Sequence, residues 1–180
     1  KTTLGRSILR LIEPSGGQIN FAGQNISKFP PEALRSIRRE IQIVFQDPYS
    51  SLNPRLPLGL AITEPMKVHG IGTSEQDRVD RAIDLLEQVG LSADHFERFP
   101  HEFSGGQRQR LCIARALAVQ PSLLVCDEAV SSLDVSVQAT VLNLLKDLQA
   151  KQGLTYLFIS HDLAVIRFMC DEVMVMKDGV

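Results

Sequence analysis

The chain has 180 residues, about one domain's worth of sequence, and at that length a single core buries roughly 70% of the surface its unfolded chain exposes without staples. Apolar residues make up 44% and charged residues 22%, ordinary for a folded globular domain and against disorder. Nineteen Lys and Arg against 21 Asp and Glu leave a net charge of -2, which disfavours a strongly basic nucleic-acid-binding or membrane-surface protein.

From Thr2 to Ile12 the apolar residues Leu4, Ile8, Leu11 and Ile12 mark one helical stripe, which Glu13-Pro14-Ser15-Gly16-Gly17 ends. Ile19 and Phe21 alternate with polar neighbours before Gly23, the pattern of a short antiparallel strand. Ile41 to Phe45 reads as a strand running into Gln46-Asp47-Pro48, where proline and the following Ser, Asn and Pro residues predict a loop. Ser74 to Val89 carries Val79, Ala82, Ile83, Leu86 and Val89 on one face and charged residues on the other, an exposed amphipathic helix. Gln107 to Val119 predicts another helix, stopped before Pro121. An alternation follows: strand Leu123 to Cys126, helix Val135 to Ala150, strand Thr155 to Ser160, helix Leu163 to Met169, strand Glu172 to Lys177. Strands separated by helices imply right-handed crossovers and a parallel sheet. The expected class is α/β with a helical insertion between about Asn53 and Arg115.

No run approaches the ~18 apolar residues that span a bilayer. Cys112, Cys126 and Cys170 lie far apart, form no CxxC pair and fit no zinc spacing, so buried free thiols in a reducing compartment are expected. The chain opens on Lys1 without a Met or a leader pattern and stops after an expected Asp178-Gly179 turn. It reads as a piece of something longer.

In open parallel sheets, ligands bind beyond the carboxyl ends of the strands. Three expected strands end there in polar residues: Gln46, then Asp127-Glu128, then Ser160-His161-Asp162. Each alone is weak, since Asp127-Glu128 could be strand-end polarity and His161 could simply open a helix. Lys1-Thr2-Thr3 at a helix start matches the last positions of the phosphate-binding pattern G-x-x-x-x-G-K-S/T. There the Lys meets the β- and γ-phosphates and the next hydroxyl holds magnesium. Phe103-Ser104-Gly105-Gly106-Gln107 is a second phosphate candidate: two glycines admit close backbone approach and a helix start offers free N–H groups. Its plainer reading is a loop capped by Ser104.

Taken together, Lys1-Thr2-Thr3, Gln46, Ser104-Gly105-Gly106-Gln107, Leu123 to Glu128, Ser132-Leu133-Asp134 and His161 resemble, in order and approximate spacing, the motifs of the ATP-binding-cassette ATPases. The resemblance covers essentially the whole chain. It implies a P-loop NTPase core with a parallel sheet, a short antiparallel β segment and an inserted helical subdomain, truncated at both ends. Residues 1–180 would be one ATPase domain and residues 53–115 its helical signature subdomain.

By that resemblance, Lys1 and Thr2, with Thr3 beside them, end the Walker A motif on phosphate and magnesium. Gln46 is the Q-loop glutamine, which senses magnesium and the attacking water and links the core to the helical subdomain. Ser104, Gly105, Gly106 and Gln107 form the signature that contacts ATP bound to the opposite subunit. Asp127 is the Walker B aspartate on magnesium, Glu128 the general base, His161 the switch histidine and Asp134 the D-loop aspartate that couples two sites across a dimer. Phe103 stands where the signature usually opens with leucine, and Ala129 where proline commonly follows the glutamate. The implied ligands are ATP and Mg²⁺.

Two stretches, Phe45 to Arg55 and Val125 to Ser131, resemble the ATPases of oligopeptide, dipeptide and nickel importers. That implies a subunit at the cytoplasmic face of the membrane, partnered by a second ATPase subunit in a homo- or heterodimer. It also implies integral membrane permeases and, indirectly, an extracytoplasmic solute-binding protein, with no nucleic acid. Peptide is the expected solute, nickel or another small solute the alternative. A chromosome-maintenance or repair ATPase would interrupt the core with a long coiled coil, whereas 57 residues without sustained heptads separate Gln46 from Ser104. A regulatory cassette without turnover is disfavoured by Glu128 and His161, and a translation-factor cassette by the Gln46 to Arg55 stretch. Because the glycine loop would precede Lys1, residues 1–180 alone are expected to bind ATP poorly and to be inactive.

Overall fold

The computed structural model describes residues 1–177 and 179. Helix α1 (Thr2–Ile8) leads to a hairpin of β1 (Asn20–Phe21) and β2 (Gln24–Asn25), then to α2 (Pro31–Glu40) and β3 (Ile41–Val44). After β3 come α3 (Pro48–Ser51), α4 (Leu58–Val68), α5 (Glu75–Gln88) and α6 (Gly105–Leu117). The chain closes with β4 (Leu123–Asp127), α7 (Val135–Gln152), β5 (Thr155–Ile159) and α8 (Leu163–Met169). Strands β3, β4 and β5 form one parallel sheet in that order, with Val44 opposite Cys126 and Asp127 opposite Ile159. The parallel α/β class, the antiparallel segment and the helical insertion are all present.

Successive side chains on a strand point to opposite faces, and the two cores divide accordingly. Val44, Leu124, Cys126, Tyr156 and Phe158 join the larger core with α4, α5, α6, α7 and α8. Ile41, Ile43, Leu123, Val125, Leu157 and Ile159 join the smaller one with Leu9, Phe21 and Ile26. Gly5 lets α1 lie on the sheet: a Cβ there would sit 3.0 Å from Ile159 Cδ1. Tyr156 Oη donates to Leu145 O at 2.7 Å, pinning β5 to α7, and burial pushes its phenol above the ordinary range.

The insertion holds through helix ends as much as through burial. Ser74 caps α5 by accepting from Asp77 N at 3.1 Å. The first N–H groups of a helix have no partner within it; in α4 they donate instead to Arg98 O and Phe96 O, at 2.9 and 2.8 Å. At Gly59 the Phe96 ring passes 2.3 Å from where a Cβ would stand. Leu58, Ile62 and Met66, four residues apart, fill the α4 face and are each 1% exposed.

Several expectations need correction. The first helix ends at Ile8 rather than Ile12, because Arg10 turns to φ +52° and its guanidinium donates to Ile26 O and Ser27 O. The segment after Asp47 is one helical turn rather than open loop, with Pro48 at its first position and Asp47 accepting from Tyr49 N at 2.8 Å. Helix α6 begins at Gly105 and ends at Leu117, two residues earlier at each end than expected. Residues 172–177 are not a strand, although Val173-Met174-Val175 is apolar. Among the described residues no strand pairs with them, and those three side chains are 62–88% exposed. A strand exists through its ladder, not its composition alone. The expected Asp178-Gly179 turn begins at Asp178, outside the described residues. Cys112 and Cys126 are buried as expected, whereas Cys170 is half-buried, and all three are free.

Candidate active site

Parallel strands in register place their last residues side by side, and here three of them end on one rim. Asp127, 3% exposed, is the last residue of β4. Glu128 follows it, and its N–H donates to Ile159 O at 2.9 Å, extending the β4–β5 ladder by one rung. That bond holds Glu128 at φ +50°, a left-handed conformation that costs a non-glycine residue about 1–3 kcal/mol and concentrates at functional sites.

Thr2 Oγ1 donates to Asp127 Oδ1 at 3.1 Å, joining the start of α1 to the end of β4. Lys1 Nζ donates to Ser160 O at 3.1 Å, so the ammonium stands over the end of β5. His161 Nδ1 lies 3.4 Å from Glu128 Oε1, with the imidazole 69% exposed and the carboxylate 25% exposed. Asp162 fixes the turn after it, accepting from Ala164 N at 2.8 Å as the cap of α8. Gln46 lines a cleft of about 450 Å³ with Thr2, Arg6, Asp127 and Arg115. Lys1, Thr2, Gln46, Asp127, Glu128 and His161 therefore meet at one end of the sheet.

Six predicted residues lie elsewhere. Ser104 Oγ accepts from Gln107 N at 3.3 Å, and Gln107 Oε1 accepts from Ser104 N at 2.9 Å, a reciprocal cap on α6. The cap expected as the plainer reading is thus present, while the first N–H groups of α6, at Gly105 and Gly106, have no acceptor within the helix. This end of α6 packs on the start of α7, since a Cβ on Gly105 would lie 3.6 Å from Leu133 Cδ2. Asp134 occupies the α7 cap position, is exposed and makes no cap hydrogen bond. Thr3 is exposed on α1 beside Thr2.

Three contributors escaped the sequence reading. Arg6 and Arg115 place guanidinium groups beside the Gln46 cleft. Arg6 was findable, being one helical turn beyond Thr2, whereas Arg115 carries no local signal. Ser132, noted only as part of a motif, donates from Oγ to Gln46 O at 3.2 Å, tying the segment after β4 to the segment after β3.

Thr2 and Asp127 present two hard oxygen donors within hydrogen-bond reach, and the Gln46 amide shares their cleft. That donor set suits magnesium, which prefers oxygen ligands and usually takes only one or two from the protein. Among the described residues there is no cluster of three or more His, Cys, Asp and Glu side chains that would hold a metal alone. No helix of the described residues is long and apolar enough to cross a membrane.

Comparison with known proteins agrees with this geometry. The chain is 54% identical over 179 residues to a Brucella ovis protein provisionally named a peptide import ATP-binding protein, covering 99% of this chain and 56% of that one. It is 53% identical to the glutathione import ATP-binding protein of Escherichia coli K12, again over 99% of this chain but 29% of that protein. The chain thus spans about half, or less, of the curated relatives it matches. Among solved structures, the ATP-binding cassette MJ0796, as a dimer in a post-hydrolysis state with ADP and Pi, superposes with a TM-score of 0.81 at 30% identity. That match covers 93% of this chain and 72% of the other. CbiO1 from Clostridium perfringens, part of an ABC transporter complex, gives 0.86 at 28% identity over 99% and 69% of the two chains. The ABC transporter family model matches residues 1–131, and the chain belongs to the ABC transporter family.

Proposed function

We propose that residues 1–180 form the nucleotide-hydrolysing core of an importer's ATPase subunit, with residues 53–115 as its helical signature subdomain, and that the transported solute is a peptide. The observation that carries the reading is the rim itself. Thr2 meets Asp127 at 3.1 Å while His161 meets Glu128 at 3.4 Å, so a metal-binding pair and an acid–base pair stand side by side.

ATP hydrolysis adds a water oxygen to the γ-phosphorus, breaks its bond to the bridging oxygen and leaves that electron pair on ADP. The reaction needs charge neutralisation, a positioned water and in-line geometry more than covalent chemistry. Lys1 supplies a fixed ammonium for the phosphates, held by Ser160 O. Thr2, Asp127 and the Gln46 amide would hold magnesium, which when bound neutralises phosphate charge. Glu128, 3.4 Å from His161 Nδ1, accepts the proton of the attacking water. His161 donates toward the transferred phosphoryl group and keeps Glu128 oriented. Gln46 orients the water and reports on the occupied cleft.

Ser104 to Gln107 and Asp134 lie outside this cleft in their own chain, which supports their acting on a nucleotide held by a second cassette. The start of α6 offers N–H groups to that phosphate. Val135, next to Asp134, and Leu163, two residues beyond His161, are 82% and 81% exposed and give the second cassette apolar surface to cover. The partners are therefore that cassette, as a homo- or heterodimer, and two integral permeases, with a solute-binding protein acting from the far side. The complex would sit at the cytoplasmic face of the membrane. The peptide assignment rests on the importer-like stretches and on the relatives' names.

Purification of the intact native protein from membranes, with its ATPase activity, tests the reading. Recovery of multi-span permeases, with turnover raised by a peptide-loaded binding protein, is the expected result. Stimulation by nickel alone overturns the solute, and recovery of ribosomal or nucleic-acid partners overturns the transport assignment.

A further inference from the structure

The segment after β3 and the first turns of α6 meet along a seam that leaves buried polar atoms without partners. Arg108 is 8% exposed, and its Nε and Nη1 are buried with no acceptor. Next to it, Gln109 is fully buried; its Nε2 donates to Phe45 O at 3.4 Å while its Oε1 has no partner. Burying a guanidinium without an ion pair is costly. The structure offers it one compensating contact: its carbon lies 3.8 Å from the centroid of the Tyr49 ring. Close stacking over an aromatic face stabilises a desolvated cation.

Tyr49 is 64% exposed, so its ring covers Arg108 rather than filling the core. The ring's place follows from Asp47, which accepts from Tyr49 N at 2.8 Å and whose backbone O accepts from Ser51 Oγ at 2.8 Å. Asp47 adjoins Gln46, and Arg108 adjoins Gln107. Farther along the same face of α6, Arg115 donates to Ser51 O. The stacked pair thus joins the segment after the rim glutamine to the capped start of α6, beside the Gln109 Nε2 to Phe45 O bond that joins the residue before it.

We propose that Tyr49 and Arg108 form a joint that fixes the Gln46 segment to the start of α6, making both of them positioning residues for ATP hydrolysis. The role in hydrolysis rests on the function proposed above. Neither residue touches the reacting atoms. The joint sets where Gln46 stands relative to Ser104 to Gln107, so that displacement of one is felt by the other.

The test uses the intact native protein and the variants Tyr49→Leu, Tyr49→Phe and Arg108→Met. Tyr49→Leu and Arg108→Met should each lower kcat by about 3- to 30-fold, the range that a cation–π contact spans between exposed and desolvated sites. KM for ATP should stay within about twofold, as expected when only transition-state geometry is lost. Tyr49→Phe keeps the ring and should stay near the parent. Amide hydrogen exchange gives a readout independent of turnover: residues 45–51 should exchange faster in both ring- or charge-deleting variants and unchanged in Tyr49→Phe. Parental exchange in Tyr49→Leu overturns the joint, as does equal damage by Phe and Leu, which would assign the effect to the hydroxyl. A parent without ATP turnover overturns the function proposed above, while the exchange result still decides the joint.

Discussion

Gly106 stands where α6 crosses the start of α7, and adding one methyl group there has a calculable effect. A Cβ at this position would lie 2.3 Å from Val137 Cγ1, whereas carbon atoms rest about 3.5–4.0 Å apart. The shortfall of about 1.2–1.7 Å must come from Val137 leaving its rotamer or from the helices separating. Val137 is β-branched and stiff in a helix, so separation carries much of the change. Overpacking of this kind costs about 1–3 kcal/mol. Alanine's better helix propensity returns about 1 kcal/mol, leaving a net loss of up to about 2 kcal/mol for Gly106→Ala. Moving α6 also moves Ser104 to Gln107, so turnover should fall by more than about tenfold if a partner's nucleotide needs those groups within hydrogen-bond range. Urea unfolding and ATPase assays on Gly106→Ala, Val137→Ala and the double variant measure both effects. Val137→Ala removes the obstructing methyl groups, so the double variant should recover stability and turnover, with a coupling of about 0.5–3 kcal/mol. Simple addition of the single effects, or a Gly106→Ala protein as stable and active as the parent, would refute the steric argument.

Two further outcomes follow from the same contacts. Thr2→Ala removes the hydroxyl that meets Asp127 and should raise the magnesium concentration needed for half-maximal turnover by about tenfold or more, whereas Thr2→Ser should remain near the parent; equal magnesium curves for all three would contradict the donor assignment. Burial raises the Cys126 thiol from 9.0 to about 12 and the Cys112 thiol to about 11, so both stay protonated at pH 8. Iodoacetamide followed by mass spectrometry should leave these two unmodified until the protein unfolds. The sign of the linked stability follows: above pH 9 the unfolded chain releases protons that the fold retains, so stability declines from pH 9 toward 12 and is insensitive to these groups below. Flat stability across that range would contradict the burial.

The parallel sheet was legible because its strands are short apolar runs with polar ends, and the same polar ends marked most of the rim. Glu128 and His161 follow the ends of different strands, and only the register of β4 with β5 brings them together. Two helices were harder to read. Helix α2 places just two apolar residues, Leu34 and Ile37, on its packed face, a short stripe among charged residues, although Pro31 and Glu32 at its start are ordinary helix-opening residues. Helix α4 contains Pro65, which argues locally against a helix; the Leu58, Ile62 and Met66 stripe and the backbone carbonyls of residues 96 and 98 outweigh it. Residues 172–177 failed the other way, since a continuous apolar run satisfies strand composition but has no ladder among the described residues. Arg108 and Tyr49 gave no signal at all, because their pairing depends on the packing of α6 against α3.

The central claim is that Glu128 takes the proton from the attacking water while the rest of the rim binds nucleotide. The most direct test is Glu128→Gln in the intact native protein, with ATP turnover, nucleotide affinity and assembly state measured on the same sample. General-base removal costs about 10²–10⁴-fold, so turnover should fall by at least about 100-fold while ATP affinity is kept and an ATP-bound dimer accumulates. Hydrolysis at the parental rate would remove Glu128 from the mechanism, and loss of ATP binding along with turnover would mean that the carboxylate serves the site's structure rather than its chemistry.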